Sequence, residues 1–145
     1  CIRGKEGGWT VEIVVCLDEN NGLMFNHRRQ SRDRVVIDDI LAQAQGRPLW
    51  MNDYSAPLFE GAGNVHVSPH FLSEAPKNAV CFVEDQVVAP IVKWVARVVV
   101  YRWHRVYPAD QYFDLTLTDA QWRCVERVDF SGHSHDIITR EVYER

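Results

Sequence analysis

The sequence predicts an α/β fold, a twisted and mostly parallel sheet flanked by helices with a C-terminal antiparallel hairpin. Three observations predict it. Short runs rich in Val and Ile recur along the chain, one segment repeats its apolar residues at the helical period, and the last third runs apolar or alternates without that period.

The first run, Trp9 to Leu17, is dense in β-branched residues and stops at Asp18-Glu19-Asn20-Asn21-Gly22, whose Asn-Gly pair tolerates positive φ. It reads as a buried strand followed by a loop. Over Arg32 to Gln45, the residues Val35, Val36, Ile40, Leu41 and Ala44 fall near a 3.6-residue period, with Ser31 as expected N-cap and Gly46 as the stop. That segment is the clearest helix. A short strand at Pro48–Met51, a helical turn at Ser55–Phe59 and a strand at Asn64–Ser68 come next. Ala79–Val83 forms a further strand, and Val87–Val95 a short helix started or broken at Pro90. Ala96–Trp103, with three consecutive Val, is the strongest β segment, and Trp122–Phe130 with Ile137–Tyr143 fits a long hairpin.

At 145 residues the chain suits one domain over 9–145, preceded by a Gly-rich leader at 1–8. Hydrophobic residues make up 46% and charged ones 25%, which excludes a disordered or fibrous chain. The net charge of -4 gives no global reason to expect a nucleic-acid or membrane-surface binder, and the longest apolar runs are too short to span a bilayer. A cytoplasmic protein is expected. Cys1, Cys16, Cys81 and Cys124 show no C-x-x-C spacing, so neither a zinc knuckle nor a disulfide framework is expected.

Val11–Asp18 running to Gly22, then Leu49-Trp50-Met51-Asn52-Asp53-Tyr54-Ser55, Val80–Gln86, Ala96–Tyr101, Asp110–Phe113 and Ser134–Arg145 follow one another in the order of the dihydrofolate reductase family. The chain resembles that family over almost its whole length. With a small deletion allowed, the resemblance implies that Asp33 stands within one residue of the carboxylate that hydrogen-bonds the pteridine, a catalytic role; the competing reading is a first-turn acid favourably placed against the helix dipole. The resemblance also implies that Ser55, at the Thr of a Met-Gly-Arg-x-Thr signature, is ligand-binding. The same resemblance exposes departures. The family's phosphate-pairing Arg falls at Asp53, its Gly at Asn52, and its adjacent glycines at Glu84-Asp85. Each change opposes a pyrophosphate, so no cofactor is expected.

The run His27–Arg34 holds four Arg at a loop-to-helix junction, where Arg28, Arg29 and Arg32 are expected to bind an anionic small molecule or nucleotide; the competing reading is a solvated basic face. Arg97, Arg102, His104 and Arg105 interleave with Trp103 and Tyr107, but strand alternation sends Arg102 and Trp103 to opposite faces, and nucleic acid is not expected as a partner. His133-Ser134-His135-Asp136 is similar to part of the H-x-H-x-D-H motif of metallo-β-lactamase-like hydrolases, without its fourth ligand or its Asp spacing. No metal is expected there. The leading functional expectation is a binding or regulatory module that no longer takes NADPH. Its alternatives are a divergent NADPH-dependent reductase and a metal-dependent hydrolase or ribonuclease using His133, His135 and Asp136.

Overall fold

A computed structural model describes residues 10–118 and 120–145. The expected leader at 1–8, with Cys1 and Trp9, lies outside them. The main sheet has seven strands in the order β5-β4-β6-β1-β7-β10-β9. These are β1 (Val11–Leu17), β4 (Leu49–Met51), β5 (Val65–Val67), β6 (Val80–Phe82), β7 (Val95–Arg102), β9 (Arg123–Phe130) and β10 (Ile138–Glu144). Pairings from β5 to β7 are parallel, whereas β10 runs antiparallel to both β7 and β9.

The central strands are apolar throughout because both of their faces are covered. On β1, Ile13, Val15 and Leu17 enter one core with Val98, Val100 and Phe71, while Val14 enters the other with Val99, Tyr101 and Phe82. Helix α1 (Arg34–Ala44) lies on the second face and buries Val36, Ile40 and Ala44, four residues apart along one stripe. The expected N-cap was Ser31; the cap is Asp33, with extended backbone and a carboxylate accepting from the Val35 N–H. The helix stops one residue before Gly46, at Gln45, which adopts the left-handed region with φ 53°. Pro57 and Pro90 sit in the first turns of 3-10 helices, Ala56–Phe59 and Ala89–Trp94, where a missing N–H costs nothing. A four-residue helix, α2 (Phe71–Glu74), buries Phe71.

The segment after Asp18 is more ordered than a loop. Gly22–Phe25 (β2) and Arg28–Arg29 (β3) form a hairpin, and Gln111–Tyr112 (β8) completes a second, three-stranded sheet. Asn26 and His27, at φ 52° and 62°, make the two-residue turn, the positive-φ pair that matches strand twist. No helix among the described residues is long and apolar enough to cross a membrane.

Candidate functional site

In open α/β sheets, ligands collect at the carboxyl ends of the strands. Here two polar clusters stand at that edge. The first joins β3, the loop after β4 and the residue after Val83. Arg29 donates from Nε to Glu84 Oε2 at 2.8 Å and from Nη2 to Oε1 at 3.1 Å, a forked contact. Ser55 Oγ donates to the same Oε1 at 2.6 Å. Arg29 also donates to the Tyr54 carbonyl, and its guanidinium lies 4.4 Å from the centre of the Tyr54 ring. Burial alone would ease the Arg29 proton off, but the Glu84 carboxylate outweighs it and holds the guanidinium charged. Beside this pair Asn52 Nδ2 donates to Asp85 Oδ1 at 2.9 Å. Burial, with Glu84 adding to it, pushes the Cys16 thiol far above its usual range, which leaves it a packing group and no nucleophile.

The second cluster is built on Asp33. Its carboxylate is fully enclosed and accepts from the N–H groups of Val35, His133 and Ser134, from Ser134 Oγ and from His135 Nδ1. Burial would raise the Asp33 carboxyl; the hydrogen bonds from His133, His135, Ser134 and Val35 overcome it and hold the group well below the usual carboxylate range. Gly132 permits the approach, since a Cβ there would lie 2.6 Å from Asp33 Oδ2. His135 stacks on Trp103 at 4.6 Å between ring centres, and its Nε2 lies 2.9 Å from Ser31 Oγ and 3.5 Å from the Tyr107 hydroxyl.

Two cavities flank the Asp33–His135 pair. One, about 610 Å³, runs between α1 and residues 57–62, with Ile37, Leu41, Leu58 and Phe59 as apolar wall and Arg32 and Arg34 at its rim. The other, about 1050 Å³, is bordered by Trp103 and His135 and extends over β9 and β10.

The residues singled out from sequence are therefore dispersed. Arg28 is exposed on the hairpin, Arg29 is turned inward onto Glu84, and Arg32 stands at the α1 cleft, so the expected basic cluster is not one surface. Ser55 and Asp33 belong to different clusters. Glu84 and Asp85 are not bare charges facing a groove; each has a partner. Of the His-rich segment, His133 and Asp136 are exposed while His135 is buried against Asp33, and among the described residues no three His, Cys, Asp or Glu stand together to hold a metal ion. Arg97 and Arg102, read as a possible stacking surface, are engaged by Glu12, Glu144 and Glu141. Sequence reading did not find the Ser31–His135 contact, because its partners are 104 residues apart.

No protein-family model matches the chain, and no curated protein matches it in sequence. Among solved structures, a dihydrofolate reductase from Enterococcus faecalis, complexed with NADP(H) and RAB-propyl, is similar at TM-score 0.67 and 10% identity, over 94% of this chain and 96% of that one. Fold and strand-end crevice thus define an α/β protein of open, mostly parallel sheet. More narrowly, the fold is that of dihydrofolate reductase.

Proposed function

We propose that this domain binds a small ligand with an apolar body and an anionic group in the cleft between α1 and residues 57–62, and that it does not use NADPH. The observation that carries the second part is the Arg29–Glu84–Ser55 cluster. It occupies the strand ends at which the family resemblance puts a cofactor pyrophosphate, and it is satisfied internally. Admitting a polyanion there means separating this partly buried ion pair and setting the Glu84 carboxylate beside the phosphates, a cost that opposes binding before any favourable contact is made. The cleft supports the first part: Ile37, Leu41, Leu58 and Phe59 line it, and among the described residues Arg32 and Arg34 there make no ion pair, set against the acidic Asp38 and Glu60 of the same lining.

Calorimetric titration with NADPH tests the proposal, with the triple variant Asp53→Arg, Glu84→Gly, Asp85→Gly as comparison. The native chain is expected to give no saturable heat. Micromolar binding by the native chain that the triple variant loses would make this a reductase instead. For the cleft, benzoate-type anions are expected to raise the melting temperature, and Arg32→Ala with Arg34→Ala to abolish the rise while Arg28→Ala leaves it.

A further inference from the structure

We propose that Ser31, His135 and Asp33 form a nucleophilic centre that takes an acyl group from a small carboxylic ester onto the Ser31 hydroxyl and passes it to water. The geometry fixes each role. An ionised Asp33 only accepts hydrogen bonds, so the ring nitrogen facing it at 2.8 Å, Nδ1, carries the hydrogen. In the neutral ring Nε2 is then a bare lone pair, and it faces Ser31 Oγ at 2.9 Å. The base is in hydrogen-bond reach of the nucleophile and is itself oriented by a third group, the arrangement nucleophilic catalysis by serine requires.

The supporting structure is rigid. Asp33 is locked by backbone N–H groups from two separate segments, α1 and the 132–135 loop, and the Trp103 ring prevents His135 from rotating away. Ser31 is half-buried, and its base, His135, borders the cavity of about 1050 Å³, from which an ester would have to reach Ser31 past the imidazole. The Tyr107 hydroxyl, 3.5 Å from Nε2, is a side-chain donor beside the reacting atoms that could turn to negative charge on the carbonyl oxygen. The N-terminus of α1, three residues beyond Ser31, adds a field of the same sign.

The steps balance. Ser31 Oγ bonds to the carbonyl carbon as its proton passes to His135 Nε2; the bond from that carbon to the leaving alkoxide then breaks as Nε2 returns the proton to the alkoxide. A water next bonds to the acyl carbon, giving a proton to Nε2, and the bond to Ser31 Oγ breaks as Oγ recovers it. The sum is ester and water to carboxylic acid and alcohol, with no change of oxidation state.

The experiment treats the full chain with a fluorophosphonate probe and, separately, with 4-nitrophenyl acetate. One phosphonyl group per chain is expected, mapped by peptide mass spectrometry to Ser31, with a burst of 4-nitrophenol. Ser31→Ala should remove both the adduct and the burst, leaving a steady release roughly 10²-fold slower or more, without moving the melting temperature, because the Asp33–His135 pair remains. Tyr107→Phe should slow acylation and keep the adduct. Ser31→Cys, which restores a nucleophile at the same atom, should accept the acyl group from a thioester. A native chain that takes no probe, or equal labelling of Ser31→Ala, overturns the proposal and leaves Asp33–His135 a clasp that fastens the loop. Neither result bears on the NADPH or cleft titrations, which read other residues.

Discussion

Asp33 shows how much one side chain organises. It caps α1, holds the 132–135 loop and orients His135, so Asp33→Ala removes an N-cap worth about 1 kcal/mol and leaves partly buried donors unpaired at about 1–3 kcal/mol more. A total loss of about 3 kcal/mol in urea unfolding is expected. The acid dependence follows from the direction of its shift. Since the folded carboxyl is held below its unfolded value, its contribution is complete above the ordinary carboxylate range and is lost as pH falls from there towards the depressed native value. The native chain should therefore lose more stability between neutral pH and about pH 3 than Asp33→Asn does. The slope will not vanish in that variant, because Asp18, which accepts from Gly22, Tyr107, Asn20 and Gln30, is also held low. That an acid stands at the start of the helix was legible from sequence, and what Asp33 touches was not. Four of its five donors come from residues 100 to 102 positions away, and no local pattern encodes that.

Among the elements, the buried parallel strands were readable because residues covered on both faces must be apolar along their whole length, as Val98, Val99 and Val100 are. The start of α1 was misplaced by two residues, since Ser31 and Asp33 are both good capping residues and the choice is made by the loop that closes over Asp33. The β2–β3 hairpin was read as a loop because its strands are four and two residues long and give no alternation to count. Its turn carries a testable consequence. His27 is exposed and sits at φ 62°, where a side chain is strained and Gly is not. His27→Gly, completing an Asn-Gly turn, is expected to stabilise the protein by about 0.5–1 kcal/mol in chemical denaturation, net of the added freedom of the unfolded chain. A loss of stability would mean that His27 makes a contact that the turn geometry does not reveal.

For the molecule as a whole, the sheet separates two cores, and neighbouring residues of β1 serve opposite ones. Val14→Ala and Val15→Ala should therefore cost alike, about 2 kcal/mol each, with urea midpoints falling and the slope unchanged. In a sheet with one solvated face, one of the two would be nearly silent. The strand order carries a consequence of another kind. β10 follows β9 in the chain but lies between β9 and β7, and the segment just before β10 supplies the donors that Asp33 has lacked since the start of synthesis. On a ribosome, which releases the chain in sequence order, β9 has no sheet to join and α1 no complete cap until residues 132–144 emerge. The pairings of β9 thus become possible only once β10 has emerged, and until then an eight-residue strand waits with both edges bare, a state in which a nascent chain needs a chaperone.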